Sequence, residues 1–125
     1  MIKDGKGYHK LLVWQRAREL VLLIYKNTEN FPKSEEFGLK SQLRRAGVSV
    51  LLTIVEGYRR HTTKDYLHFL NTSGASLDEL EAAFELCLDL KYFMEEHYKM
   101  LETKRGEVAY LLGRLVLSLE KNKNL

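Results

Sequence analysis

Between Leu43 and Tyr58 the apolar residues do not stay on one helical face. Leu43, Ala46, Val50 and Ile54 form one stripe at three- and four-residue spacing, while Val48, Leu51, Leu52 and Val55 occupy much of the remaining circumference. A helix that is apolar on nearly all sides is buried on nearly all sides. One core in a chain of 125 residues covers one stripe, so the second stripe is expected to meet another copy of the protein. The pattern speaks for self-assembly before it speaks for any chemistry.

Elsewhere the helical period recurs, and no alternating strand pattern of useful length interrupts it. A first helix is expected over about residues 11–30, with Val13, Ala17, Leu20, Val21, Ile24 and Thr28 on one side and Trp14 at its entrance. Phe31-Pro32 ends it, because the residue before a proline is pushed out of the helical region. Ser34 is the expected N-cap of a second helix over about residues 35–59, with Glu35 and Glu36 in its first turn. Thr62 and Asp65 are spaced like a capping box before a third helix over about residues 63–92. Its stripe is Tyr66, Leu70, Ser73, Leu77, Leu80, Phe84, Cys87 and Lys91, with small residues Ser73, Gly74 and Ala75 where a neighbour can approach. A fourth helix is expected over about residues 98–121, its core face built from Leu101, Val108, Leu111, Leu112, Leu115 and Leu119, before a fraying tail from Asn122 to Leu125. Short connections between long helices force antiparallel neighbours, so residues 1–125 form one all-α domain, an antiparallel up-down-up-down four-helix bundle.

Composition narrows the chemistry. One proline, 45% hydrophobic and 30% charged residues describe a well-folded helical protein. The lone Cys87 sits within an apolar helical pattern and reads as a small core residue of a reducing compartment. The polar start Met1 to Gly7 shows no signal peptide, and the apolar runs fall short of a membrane span, so a cytoplasmic protein is expected. A di-iron bundle would need Glu-x-x-His on two helices, whereas only Asp65-x-x-His68 has that spacing and Glu96 is followed directly by His97. No phosphate-binding glycine loop, paired catalytic carboxylates or zinc-ligand spacing appears. No enzymatic activity, metal or cofactor is expected.

The net charge of +3 conceals an asymmetry. Residues 1–65 carry 13 Lys/Arg against 7 Asp/Glu, and residues 66–125 carry 7 against 10. Such a split can steer a polyanion to one face, or let oppositely charged helices complement each other. The candidate phosphate-binding residues are Arg44 and Arg45 within the second helix, and Arg59, Arg60, His61 and Lys64 at the turn that follows it. Arg16, Arg18 and Lys26 add positive charge to the first helix. The plainer alternative pairs Arg45 or Arg60 with Glu56 and leaves the others solvated. Tyr58 and Tyr66 flank the turn cluster but fit core and rim positions equally well, so sequence-specific reading of bases is not expected.

Several motifs occur in order: Leu12-Val13-Trp14-Gln15-Arg16-Ala17, Phe31-Pro32, Phe37-Gly38-Leu39-Lys40-Ser41-Gln42-Leu43-Arg44-Arg45-Ala46, Glu56-Gly57-Tyr58, Phe69-Leu70-Asn71, Gly74, Ser76-Leu77 and Glu79-Leu80-Glu81. Together they resemble the four-helix-bundle family encoded by intervening sequences within bacterial 23S rRNA genes, once classed as a ribosomal protein. The resemblance covers roughly Leu11 to Tyr92. It departs at Val50-Leu51-Leu52-Thr53-Ile54-Val55, where the family usually has Ile-Pro-Ser-Asn-Ile-Ala. Losing that proline at Leu51 should remove a kink, and it puts in question any polar role of the family's asparagine.

The resemblance implies a homo-oligomeric ring, a pentamer being known in the family, and no established enzymatic activity. It also implies kinship with an accessory protein of diversity-generating retroelements that binds nucleic acid and a reverse transcriptase. RNA or DNA is therefore the leading expected ligand, with self-association through Val48, Leu51, Leu52 and Val55. The alternative is a protein-interaction scaffold without nucleic-acid binding, its basic residues serving solubility.

Overall fold

The computed structural model describes residues 7–123, all-helical with four α-helices and no strand among the described residues. Met1 to Lys6, which carry most of the polar start, and the last two tail residues, Asn124 and Leu125, lie outside them.

A 3-10 turn, Gly7–Lys10, leads into α1, Leu12–Thr28. Leu11 stays extended and offers no side-chain cap. Instead the Gln15 amide donates to the His9 carbonyl at 2.8 Å and ties the turn to the helix. The far end is closed by Thr28, whose hydroxyl donates to the Ile24 carbonyl at 2.8 Å.

Helix α2 spans Leu39–Tyr58 and begins four residues later than the sequence pattern suggests. After Pro32 the chain makes a second 3-10 turn, Lys33–Glu35, and Ser34 caps nothing. The cap comes from Glu35, whose carboxylate accepts from the Leu39 N–H at 2.9 Å and from the Tyr92 hydroxyl at 3.0 Å. A side chain at Gly38 would collide with that carboxylate, so the glycine leaves room for the cap. Beyond it α2 is continuous through Leu51, where the family's proline is missing.

Helix α3, Thr63–Asp89, opens as its sequence announces: Thr62 accepts from the Asp65 N–H at 3.1 Å. It closes in a Schellman arrangement, with the Lys91 N–H donating to Leu88 and the Tyr92 N–H to Cys87. Lys91 takes the left-handed position, φ 65°, where glycine is usual and a side chain costs about 1–2 kcal/mol. It is exposed and outside the core stripe that the sequence assigned it to.

Helix α4, Glu95–Lys123, begins earlier than expected because His97 reaches back, its Nδ1 accepting from the Met94 N–H at 3.2 Å. Its last turns extend through Asn122 and Lys123, part of the tail expected to fray.

Helix α1 packs on α2 and α4, and α3 packs on α2 and α4. Leu20, Ile24, Leu43, Val50, Ile54, Leu70, Leu77, Leu80, Phe84, Leu101 and Val108 meet in the centre, each fully buried. Each such side chain contributes ~1.5–3 kcal/mol by leaving water. The seam between α2 and α3 is polar and tight. Thr53 and Ser73 hydroxyls lie 2.5 Å apart, and Ser76 donates to Ser49 at 3.0 Å. Thr53 stands at the position of the family's asparagine, so a polar link between helices is present there.

Charged groups lock the outer faces. Glu19 of α1 accepts from Lys104 of α4 at 2.8 Å and from Arg16 at 2.7 Å, and Glu107 pairs with both cations. Arg105 is only 8% exposed; it pairs with Glu102 of its own helix and joins α4 to α3 through Glu81. Among the described residues no helix is long and apolar enough to cross a membrane.

Candidate nucleic-acid interface

The turn between α2 and α3 gathers the basic residues. Tyr58 ends α2, Arg59 and Arg60 follow, and Thr62 starts α3, so four cationic or imidazole side chains, Arg59, Arg60, His61 and Lys64, fall within six residues. All four are exposed. None makes an ion pair with a described carboxylate. Arg60 donates to the main-chain carbonyl of Glu56 at 3.0 Å, not to its carboxylate. That bond closes the end of α2 while the guanidinium lies 5.0 Å from the Phe69 ring centre.

An aromatic wall stands beside these charges. The N-terminal 3-10 turn lays Tyr8 against the site, with the Arg59 guanidinium 5.4 Å from its ring centre. Tyr8 packs edge-on to Trp14 at 5.2 Å, and the buried His9 stacks on Trp14 at 4.6 Å. Tyr58 is 38% exposed and meets Tyr66 edge-to-face at 6.4 Å. Burial holds the Tyr66 hydroxyl above its ordinary range, with Tyr58 adding to the shift, so it stays a neutral donor. Guanidinium groups beside partly open rings are the ingredients of a surface that holds a phosphate chain and stacks bases.

The sequence missed Tyr8, which lies fifty residues from the turn and whose short 3-10 segment carries no periodic signal. The only hint was its closeness to Trp14.

The two arginines of the middle of α2 differ. Arg44 donates to the Thr28 hydroxyl at 2.9 Å and to the Tyr25 carbonyl at 3.1 Å, and lies 4.3 Å from the Tyr25 ring centre. It caps the end of α1 and is not brought to the turn. Arg45 is exposed and has no ion pair with Glu56. It lies some four turns from Arg59 along the same helix, about 20 Å at 1.5 Å per residue.

The second apolar stripe is incompletely covered. Val48, Leu51 and Val55 are half-buried and Leu52 is 51% exposed. At the start of α2, Phe37 is 96% exposed. Burial pushes the Cys87 thiol up to about 12, with Glu35 adding to the shift, which removes it from nucleophilic chemistry near neutral pH. Among the described residues no group of three or more His, Cys, Asp or Glu side chains is arranged to hold a metal ion.

The model of the family described as 23S rRNA-intervening sequence protein matches residues 9–114. A solved structure is also similar, a protein of unknown function from the S23 ribosomal protein family of Bacteroides thetaiotaomicron VPI-5482. The two superpose with a TM-score of 0.76 at 25% identity, covering 84% of this chain and 98% of that one. No curated protein matches the chain.

Proposed function

The chain belongs to the 23S rRNA-intervening sequence protein family, and from that premise we propose that it is a non-enzymatic, cytoplasmic nucleic-acid-binding protein. In this reading it is an up-down-up-down four-helix bundle that assembles with copies of itself into a ring, a pentamer by the resemblance given above, and binds RNA or DNA through its basic residues. The observation that carries the reading is the turn itself. Arg59, Arg60, His61 and Lys64 stand exposed, without a carboxylate partner among the described residues, beside the rings of Tyr8 and Tyr58. Arg45 extends the charge along α2, and Arg44 drops out of the binding set because Thr28 and Tyr25 engage it.

The packing order α1–α2–α3–α4–α1 and the short connections support the up-down course. The half-covered residues Val48, Leu51, Leu52 and Val55 support self-association. A ring repeats the basic turn once per subunit, so a modest attraction at each site gains through multivalency. A second reading, a protein-interaction scaffold, is favoured by the nearly complete exposure of Phe37, an aromatic of the kind that anchors protein interfaces.

Fluorescence anisotropy of structured rRNA fragments separates the two. Wild type is expected to bind with a steep loss of affinity as salt rises, and an Arg59→Glu/Arg60→Glu/Lys64→Glu variant to bind weakly with a salt slope lower by about 2–3. Absence of binding at low salt would discard the nucleic-acid reading in favour of the scaffold. Sedimentation of wild type and Leu52→Glu addresses assembly: a wild type that stays monomeric at micromolar concentration would refute the ring.

A further inference from the structure

At the end of the molecule away from the basic turn, the close of α1, the close of α3 and the start of α4 surround a groove of about 370 Å³. Helix α3 alone separates the two places by about 40 Å. The volume lies within the ~300–1,000 Å³ of small-molecule sites. Lys26, Lys91, His97 and Asn30 are among the residues that line it, and both lysines are exposed. Its wall is aromatic: Phe31 and Tyr92 are neighbours there, ring centres 5.2 Å apart.

Three features distinguish this groove from a chance cleft. Lys91 occupies the left-handed position of the α3 terminus, where glycine or asparagine would fit without strain. Non-glycine residues held in that conformation gather at ligand clamps, and this one adds a cation to the groove. The nearby carboxylates keep their charge but are turned to other partners. The Glu35 carboxylate is engaged by the Leu39 N–H and the Tyr92 hydroxyl, and Glu96 is 4.0 Å from His97 at the outer edge of ion-pair reach. Asn27 also lines the groove, and because its amide nitrogen is committed to the Leu23 carbonyl, its oxygen is left to accept.

We propose that this groove binds a nucleoside monophosphate group. Lys26 and Lys91 hold the phosphate, the carboxamides of Asn27 and Asn30 meet the polar edges of the sugar or base, and the base lies against the half-buried Tyr92 ring, which the buried Phe31 backs. The group belongs either to a free nucleotide or to the phosphorylated end of an RNA chain. The site is separate from the basic turn and stands or falls without it.

Calorimetric titration of the whole protein with AMP and with adenosine tests the proposal. AMP is expected to bind saturably, and adenosine roughly tenfold or more weakly. Lys91→Gly relieves the backbone strain while removing the charge. It is expected to raise the thermal midpoint and yet weaken AMP at least tenfold, a combination that loss of structure cannot produce; Lys91→Asn and Lys26→Gln should weaken AMP similarly in folded protein. In the Arg59→Glu/Arg60→Glu/Lys64→Glu background, an oligoribonucleotide with a 5′-phosphate that binds more tightly than both AMP and its 5′-hydroxyl counterpart assigns the end of an RNA chain. Equal or weaker binding than AMP assigns the free nucleotide. No saturable heat with millimolar AMP, or AMP binding that the lysine variants leave unchanged, overturns the proposal.

Discussion

Arg44 and Arg45 are adjacent, identical in chemistry and different in employment. The first donates to Thr28 and Tyr25 across the α1–α2 contact, and the second faces solvent. Arg44→Ala is expected to cost about 1–3 kcal/mol in urea unfolding, since it removes charge-assisted bonds to the end of α1, and to leave RNA affinity nearly unchanged. Arg45→Ala should do the reverse, costing little stability. An Arg44→Ala protein as stable as wild type would show that the end of α1 needs no outside cap. Nothing in the local sequence separates this pair, because what distinguishes them is a partner sixteen residues upstream of Arg44. Cys87 was legible, since its neighbours at helical spacing are apolar. Its thiol is pushed up to about 12 by burial, so the folded state disfavours the thiolate. Stability linked to this group is intact below the ordinary thiol range near 9.0 and falls as pH rises through it. Alkylation by iodoacetamide at neutral pH should therefore be confined to transiently opened molecules and run far more slowly than in urea-unfolded protein, and rapid labelling of native protein would contradict the buried assignment.

At the scale of elements, what could be read from the chain was what local chemistry decides. Thr62 and Asp65 announced the start of α3 because that cap closes within four residues. Ser34 misled because the competing cap, Glu35, is held in place by Tyr92 from the far end of α3. The start of α4 was hidden for a similar reason: histidine is an unusual residue to reach back to a helix entrance, and no pattern marks His97 for it. The stripe at Val48, Leu51, Leu52 and Val55 was visible as apolar, but periodicity alone does not say what covers it. Close approach of helices was legible only in outline, through small residues. Gly57 makes it concrete: a Cβ there would stand 3.0 Å from Tyr66 Cδ1, 3.1 Å from Phe69 Cβ and 3.2 Å from the Tyr66 carbonyl oxygen. Two of these atoms cannot swing aside, so Gly57→Ala is expected to destabilise by about 1–3 kcal/mol in denaturant titration. It would also shift the turn that carries Arg59 and Arg60, so weaker RNA binding should accompany the lost stability.

For the molecule as a whole, all four helices follow from the apolar period, while the pairing of charges across them does not. Opposite charges on opposite halves of the chain allowed either a polyanion surface or mutual complementation, and the structure shows the second between α1 and α4. Glu19, Arg16, Lys104 and Glu107 complement one another across α1 and α4, whereas the cations of the turn after α2 make no ion pair with a carboxylate among the described residues. Glu19 is held below the usual carboxylate range, chiefly by its hydrogen bond from Lys104. The stability it lends is present above its unfolded value near 4.5 and is lost as pH falls through the lower folded value. Wild type should accordingly lose more thermal stability than Glu19→Gln between about pH 5 and pH 3. Parallel curves for the two proteins would show that the network is ornamental.

The same network sets a timetable during synthesis. Glu19 and Lys104 are 85 residues apart, so at ~5–20 residues per second the partner of α1 is polymerised roughly 4–17 s after α1 itself. Through that interval α2 and α3 can already zip along their serine–threonine seam, while the side of α1 turned toward α4 stays uncovered. The nascent chain thus remains a candidate for chaperones until its last helix emerges, and a ribosome that stalls before Lys104 releases an open sheath with one wall missing.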